Sequence, residues 1–343
     1  MSGAMSGTMS GAASEAGDTA PGEAAGAARR APLPRVGIVG AGAVGCALAW
    51  ALEAAGIAVV AASSRDRARR DRVAAGLRTG SAMQVLAEPQ AVADASELVL
   101  LSVSDRAIAS ACASLRWRPG QRVVHCSGAT EVAALEAARQ AGVLTGGFHP
   151  VQTFTDPSVA LRTLPGCAVG IEAADAGLRA ELEALAVALG LRAIVLPPGA
   201  RAAYHASANY VGPFLIALLR EASSLWREFG ATEAQALSAL LPLAHGTLAA
   251  AAHAGLPGAL AGAVSRGDVD TVARHIAALD AVSTDTGTLY RTLALRTVPL
   301  GLERGSLASE NADRLRALLA PTRPDVAREA TGRSGSARRG RAR

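Results

Sequence analysis

The sequence predicts an α/β domain with a mostly parallel sheet, followed by an all-helical domain. Short runs of β-type residues alternate with helical segments from residue 36 to residue 196, an order that is typical of parallel sheets. From Tyr204 onward no strand signal returns, and the apolar residues follow helical spacing. We therefore expect the first domain to span residues 33–197 and the helical domain to span residues 198–320.

The individual elements follow from the same pattern. It predicts strands at residues 36–39, 58–62, 98–103, 122–126, 143–148, 167–171 and 192–196, with a further α/β unit at 66–93. Helices are expected at 44–55, from about 108 and near 176–189, and Gly212-Pro213 predicts a kink in the first long helix of the second domain. Residues 1–32 and 321–343 are predicted to be a disordered leader and a disordered Arg-rich tail.

The basic charge lies mainly in the tail. The chain has no Lys, so all 34 basic residues are Arg, and the formal net charge is +5. Residues 321–343 hold seven Arg against Asp325 and Glu329 and account for the whole excess. Because the rest of the chain is nearly neutral, we do not expect the folded domains to bind nucleic acid.

The cysteines and the apolar segments predict a cytoplasmic protein. The four cysteines are scattered without a CxxC pair, which favours reduced thiols over disulfides or a metal site. The leader has no basic region followed by an apolar one, so we predict no signal peptide. Residues 36–62 are apolar enough to resemble a membrane span, but their glycines and Glu53 favour a strand, a turn and a helix. We expect no membrane association and no metal.

The strongest motif is the glycine-rich segment from Gly40 to Gly45, which lies between a predicted strand and a predicted helix. Gly40 permits a tight turn, Gly42 lets the backbone approach a pyrophosphate, and Gly45 lets the helix pack closely against the strand. Together with Ala43 and Val44, these residues predict a Rossmann dinucleotide site at the positive end of the helix.

The residues after the second strand favour NADP over NAD. NAD enzymes usually place an acidic residue there to bind the ribose hydroxyls, whereas this chain has Ser63-Ser64-Arg65. Two hydroxyls and a guanidinium can bind a 2′-phosphate. Arg67 and Arg69 are interpreted as surface charges.

Two later loops complete the predicted dinucleotide site. Val103 and Ser104 follow the fourth strand, where such sheets pass the nicotinamide ribose, and Gly128 follows the fifth. Asp105 is expected to cap the next helix instead of binding a ligand.

The combination of motifs resembles a known family: Rossmann-like oxidoreductases with a helical C-terminal domain of unknown function, of the 6-phosphogluconate dehydrogenase C-terminal type. This family is related to the 6-phosphogluconate dehydrogenase, pyrroline-carboxylate reductase and prephenate dehydrogenase group. The segments that carry the resemblance are Gly40–Gly45, Leu101-Ser102-Val103-Ser104-Asp105, His125-Cys126-Ser127-Gly128-Ala129, Gly147-Phe148-His149-Pro150, Tyr204-His205-Ala206 with Asn209, and Ser265-Arg266-Gly267-Asp268.

The resemblance implies a nicotinamide-dependent oxidoreductase, usually a homodimer that associates through its helical domain. The chain departs from the family at Arg201, where many members carry Lys. Mechanisms that depend on a catalytic Lys therefore do not transfer to this protein.

Two loops are expected to reach the nicotinamide. Prephenate dehydrogenases have a similar His-Pro after the sixth strand and a Ser after the fifth, so His149 and Ser127 resemble a polarising pair. We expect His149 to exchange the proton, because imidazole titrates near neutral pH, and Ser127 to orient the substrate or nicotinamide. A purely structural role for His149 remains equally open.

The first helix of the second domain offers three further candidates. His205 and Asn209 lie four residues apart, hence on one face, and are expected to close over the substrate. Arg201, one turn earlier, could pair with a substrate carboxylate. The sequence thus predicts an NADP-dependent reductase of a small carbonyl or imine compound, with a 2-oxo acid as one option. The alternative is an NADP-binding sensor without turnover.

Overall fold

The computed structural model describes residues 33–321, and the chain divides into two compact units between Tyr204 and His205. This division falls seven residues after the end that the sequence predicts for the first domain. The predicted leader and nearly all of the predicted tail lie outside the described residues.

The first unit is built on an eight-stranded sheet in the order β3-β2-β1-β4-β5-β6-β7-β8. All neighbouring strands are parallel except β6 and β7. The strands are β1 Val36–Val39, β2 Val59–Ser63, β3 Gln84–Leu86, β4 Leu98–Leu101, β5 Arg122–His125, β6 Leu144–Pro150, β7 Ala168–Ala173 and β8 Arg192–Val195. The predicted fold class, a mostly parallel sheet followed by helices, is confirmed.

The antiparallel pair corrects one sequence expectation. His149 was expected in a loop after the sixth strand, but it lies inside β6 and pairs with Gly170 of β7. The helix and turn between these strands, with α6 at Pro157–Thr163, let β7 return beside β6. The pairing extends β6 to Pro150 and holds His149 in a ladder, which the sequence of the β6 segment alone does not reveal.

Helices cover the sheet of the first unit and bury its apolar residues. They are α1 Ala43–Ala54, α2 Arg67–Ala75, α3 Pro89–Ala95, α4 Ile108–Ala113, α5 Glu136–Gln140, α6 Pro157–Thr163 and α7 Ala176–Ala188. The central strand β4 is buried along its whole length, as expected of a parallel strand covered on both faces. Small residues allow close packing, and most of α1 is buried.

The helix α8 begins in the first unit and continues into the second, to which the later helices belong. The helices from α8 onward are α8 Arg201–Val211, α9 Pro213–Leu225, α10 Glu233–Ala259, α11 Val269–Val282, α12 Thr284–Glu303 and α13 Ser309–Leu319. The break that Gly212-Pro213 predicts is present between α8 and α9. A core joins α11, α12 and α13 through residues such as Ile276, Val298 and Leu315.

The helix α10 differs from these three because Ala236 is its one buried residue. Among the described residues, it is the one helix long and apolar enough to cross a membrane by length and composition. Pro242 and Pro257 interrupt its hydrogen bonding, and Gly255 leaves the helical conformation with φ +70°. We therefore regard α10 as an apolar surface helix.

Candidate dinucleotide and catalytic site

The glycine turn connects β1 to α1 with very close backbone packing. Gly40 has φ +105°, and a Cβ there would overlap the carbonyl oxygen of Ser102. At Gly45, a Cβ would overlap the carbonyl of Gly40. Gly42 is different, because its nearest neighbour would be the Ser102 oxygen at 4.0 Å. The outer glycines therefore serve packing, while Gly42 leaves open space beside the backbone.

The amino end of α1 offers backbone donors to a ligand. Gly42 is its N-cap, and no side chain caps the helix. The first amide that bonds within this helix is that of Cys46, which donates to Gly42 at 2.9 Å. Uncapped amides and the helix dipole attract phosphate groups.

A cleft of about 950 Å³ opens at this turn. Nine residues predicted to bind the cofactor line it: Gly40, Gly42, Ala43, Val44, Ser63, Ser64, Arg65, Val103 and Ser104. The other two, Gly45 and Gly128, are not among the lining residues, and Gly45 packs against the carbonyl of Gly40. Ser102, which belongs to one of the segments that carry the resemblance, also lines the cleft, as do Ser110 and Ser114, which the sequence did not single out.

The loop after β2 can accept a phosphate without losing an existing contact. Ser63 is 1% exposed, and its Oγ has no hydrogen-bond partner among the described residues. Arg65 is exposed at the cleft. Arg70 braces the loop by donating to the carbonyls of Ser64 at 2.6 Å and Arg65 at 3.0 Å. Both residues line the cleft, and a hydroxyl without a partner and an exposed guanidinium are groups that can bind a phosphoryl group.

The two arginines that follow Arg65 most closely, Arg67 and Arg69, form ion pairs within α2 or with its capping residue. Arg69 lines the cleft but pairs with Asp66 at 3.5 Å. Arg67 lies outside the cleft and pairs with Asp71 at 3.8 Å. Asp66 caps α2 by accepting from the amide of Arg69. The sole arginine of this loop that faces the cleft without an ion pair within the described residues is Arg65.

Asp105 does not act as the helix cap that the sequence predicts. The chain forms a 3₁₀ turn at Asp105–Ala107 before α4, with Ser104 at the capping position and no side-chain cap. Asp105 is exposed and lines the cleft. The unexpected turn shifts the carboxylate to the first helical position.

Ser127 lies at the cleft wall after β5 and is held by a local turn. Its Oγ donates to Thr130 Oγ1 at 2.9 Å and accepts from the Thr130 amide at 3.0 Å. The hydroxyl keeps one lone pair for a further donor. Thr130 was missed by sequence reasoning, although its spacing of three residues from a serine is typical of such turns.

His125, at the end of β5, is fully buried, and neither ring nitrogen has a hydrogen-bond partner of good geometry among the described residues. Burial, followed by the charges of Arg201 and His149, lowers the pKa of His125 to about 3, and the backbones of Ser127 and Glu131 offset only part of this. The imidazole is therefore neutral at physiological pH.

His149 is half-buried and contacts Tyr204. Its Nδ1 lies 3.0 Å from Tyr204 Oη, and the same hydroxyl donates to the carbonyl of His149 at 3.1 Å. The two rings meet edge to face with centroids 5.5 Å apart. This contact joins Tyr204 of α8 to a candidate catalytic residue of β6.

The structure places Arg201 in a buried ion pair. Its side chain is 0% exposed, forms an ion pair with Glu172 of β7 and donates to the Ser127 carbonyl at 2.8 Å. This guanidinium does not line the cleft, and its Nη2 has no hydrogen-bond partner among the described residues, so its predicted role at a substrate carboxylate stays a prediction. The sequence could not show the ion pair because Glu172 precedes Arg201 by 29 residues and becomes its neighbour only through β7.

His205 and Asn209 lie one turn apart on α8, as their spacing predicts. Asn209 Nδ2 donates to the carbonyl of His205 at 3.0 Å. Both residues belong to the second unit, so their predicted closure over a substrate stays a prediction.

Family models match both parts of the chain. A Rossmann-like domain model matches residues 19–150, and the model of a domain of unknown function, DUF2520, matches residues 167–297. The first part of the chain is thus similar to Rossmann-like domains, and the second part is similar to DUF2520 domains. No curated protein is similar enough to count as a relative.

Solved structures share the fold. A Bacteroides fragilis protein assigned as an NADP oxidoreductase is 22% identical, with TM-score 0.61, covering 78% of this chain and 98% of its own. A Thermotoga maritima protein is 19% identical, with TM-score 0.63 and coverage of 79% and 99%. A reductive aminase from Aspergillus terreus, in complex with NADPH and ethyl-5-oxohexanoate, is 18% identical, with TM-score 0.51 and coverage of 84% and 92%.

Proposed function

We propose that the protein is an NADP-dependent oxidoreductase that reduces a small carbonyl or imine compound. The observation that carries the proposal is the cleft at the glycine turn, which combines uncapped helix amides with the hydroxyl of Ser63 and the exposed Arg65. The same fold in a reductive aminase holds NADPH, which supports this assignment of the cleft.

Each part of the cleft has a binding task. The amides after Gly42 bind the pyrophosphate, and Ser63, Ser64 and Arg65 bind the 2′-phosphate. The absence of a carboxylate at the end of β2 removes the group that would repel this phosphate. When bound, the nicotinamide supplies or accepts a hydride.

The residues of β5 and β6 supply the proton chemistry. Ser127 lines the cleft and retains a lone pair that can orient a donor group. His149 exchanges a proton with the oxygen or nitrogen that the reaction reduces, since imidazole changes charge near neutral pH. Arg201 was the predicted partner for the carboxylate of a 2-oxo acid, but it is paired with Glu172. Neutral carbonyls and imines are therefore the first substrates to test.

Turnover distinguishes an enzyme from a sensor. Purified protein is mixed with NADPH and a panel of neutral ketones, 2-oxo acids, 3-oxo acids and cyclic imines. We expect oxidation of NADPH with at least one class, a loss of about 100-fold or more in His149→Gln, and normal activity in His253→Gln, which changes an exposed histidine of α10. Dinucleotide binding with no turnover across the panel would instead support the sensor.

The 2′-phosphate assignment has its own test. Arg65→Gln should weaken NADPH binding about 10- to 100-fold, the effect of losing a charge-assisted hydrogen bond, with NADH binding unchanged. Arg67→Gln is the matched control because Arg67 lies outside the cleft. Equal losses for NADPH and NADH in Arg65→Gln would place the 2′-phosphate elsewhere.

We also propose that the protein is a homodimer that associates through α9 and α10. Large apolar residues of these helices are exposed, including Ile216 at 66% and Leu243 at 67%, and exposed apolar patches mark association surfaces. Analytical ultracentrifugation should show a dimer that becomes a monomer in Leu243→Glu/Leu248→Glu, but not in Leu144→Glu, which alters the first unit. A monomeric wild type, or binding to lipid vesicles, would contradict this proposal.

A cytoplasmic location agrees with the cysteines, all four of which lie in the described residues and are unbonded. Burial raises the pKa of Cys46 to about 11 and that of Cys126 to about 12. These thiols stay protonated and therefore unreactive. We include the cytoplasmic location in the proposal.

A further inference from the structure

The first turn of α8 inserts two side chains against β6 and β7. Arg201 and Tyr204 lie three residues apart and hence on the same side of the helix. Arg201 pairs with Glu172 of β7, and Tyr204 contacts His149 of β6. This turn therefore meets both strands of the antiparallel pair.

Two glycines make room for these side chains. Gly147 pairs with Glu172 and His149 pairs with Gly170 across the ladder, so all four residues face one side of the sheet. A Cβ at Gly147 would overlap the guanidinium of Arg201, and one at Gly170 would lie 2.6 Å from Tyr204 Oη. The β6–β7 pair thus forms two adjacent slots, one for each side chain.

The hydroxyl of Tyr204 is protonated at neutral pH and has two contacts on His149. Burial raises the pKa of Tyr204, although the Gly170 backbone and the charge of Arg201 oppose it. The hydroxyl has one proton to donate and lies 3.1 Å from the His149 carbonyl oxygen and 3.0 Å from Nδ1. A carbonyl oxygen can only accept, and two oxygens this close would repel each other without a proton between them.

We propose that Tyr204 is a positioning residue that holds His149 in the tautomer with the proton on Nδ1. Tyr204 Oη donates to the carbonyl and accepts from Nδ1–H, which assigns Nε2 to the proton exchange. In the reductive direction, Nε2–H of the imidazolium gives its proton to the carbonyl oxygen or imine nitrogen of the substrate. The neutral Nδ1–H ring that remains is the form that Tyr204 stabilises, and solvent returns the proton. This inference rests on the proposed role of His149.

The tautomer can be measured without any cofactor. Two-dimensional ¹H–¹⁵N spectra of uniformly labelled, dinucleotide-free protein distinguish protonated from unprotonated ring nitrogens, and His149→Gln assigns the signals of His149. We expect Nδ1–H in the wild type and a shift toward Nε2–H in Tyr204→Phe. Tyr210→Phe is the matched control, because Tyr210 lies on the same helix and is 72% exposed; it should leave the tautomer unchanged.

A kinetic measurement separates positioning from structural support. Tyr204→Phe should lower kcat about 10-fold or more through loss of the correct tautomer, with KM and the Kd for NADPH nearly unchanged. Thermal unfolding checks that the variant is folded, and the spectra of His149 report on the tautomer even if its stability falls.

The tautomer and the turnover can fail independently, so the positioning role of Tyr204 and the proposed enzymatic activity are tested separately. An Nε2–H tautomer in the wild type, or the same tautomer ratio in Tyr204→Phe, would overturn the positioning role even in an active enzyme. An Nδ1–H tautomer that depends on Tyr204, in a protein without turnover, would support the contact and refute the enzymatic proposal.

Discussion

The glycine turn after β1 and a cluster beside β6 and β7, formed by His149, Glu172, Arg201 and Tyr204, are built on one sheet. They differ in which groups they offer: backbone amides in the turn and side chains in the cluster. The turn offers backbone amides and open space beside Gly42, whereas the cluster consists of enclosed side chains, with Arg201 paired to Glu172 and Tyr204 bonded to His149. We therefore expect substitutions in the turn to change dinucleotide binding, and substitutions in the cluster to change both stability and the geometry of proton exchange.

The largest effect is expected in the cluster. Arg201→Met leaves Glu172 buried without its partner, which should lower the free energy of unfolding by about 3–5 kcal/mol. Replacing both residues by Met should recover most of that loss. Urea unfolding measures both variants, with Arg316→Met as the control, since the exposed pair with Asp313 should contribute only about 0–1 kcal/mol. A loss in Arg201→Met as small as in the control would show that the buried pair is not stabilising the cluster.

In the glycine turn, we expect Gly42→Ala to weaken dinucleotide binding and to leave stability unchanged. A Cβ at Gly42 meets no protein atom closer than 4.0 Å, so the fold should keep its stability within about 0.5 kcal/mol. The same methyl group occupies the space beside the pyrophosphate amides, and NADPH affinity should fall about 100-fold. Calorimetry measures the NADPH affinity, and urea unfolding measures the stability. An unchanged affinity would mean that the pyrophosphate does not bind at this turn.

The sequence could predict the turn because its function lies in consecutive residues. Gly40, Gly42 and Gly45 are spaced for a strand, a turn and a helix, and Ser63–Arg65 follows at the next strand end. The cluster joins His149, Glu172 and Arg201, which are distant in sequence and meet only because β7 runs antiparallel to β6. No local sequence pattern indicates that the strand direction reverses, so the sequence does not predict that Arg201 pairs with Glu172 or that Tyr204 contacts His149.

The buried His125 should make stability depend on pH. Its pKa in the folded state is about 3, below the value of about 6.5 in an unfolded chain, so the unfolded state binds more protons between these values. The contribution of His125 to the free energy of unfolding is therefore largest above pH 6.5. It falls by about 2 kcal/mol as the pH decreases from 7 to 5. Urea unfolding across this range should show a smaller loss in His125→Phe and the wild-type loss in His253→Phe. Equal slopes in all three proteins would mean that His125 is charged in the folded state.

The smallest effect is expected at Ser63. Its hydroxyl has no partner among the described residues, so Ser63→Ala should not lower the free energy of unfolding. If that hydroxyl binds the 2′-phosphate, NADPH affinity should fall about fivefold, or roughly 1 kcal/mol. Ser81→Ala, outside the cleft, is the control for the calorimetric titration. Lower stability with unchanged affinity would give Ser63 a structural role.

We propose above that the cleft at the glycine turn binds NADP. Isothermal titration of the wild-type protein with NADPH and NADH measures this binding. The structure predicts one site per chain, with NADPH bound at least about 10-fold more tightly than NADH because Ser63, Ser64 and Arg65 face the 2′-phosphate. No detectable binding of either dinucleotide at millimolar concentration would contradict the assignment of the cleft and the oxidoreductase that we propose.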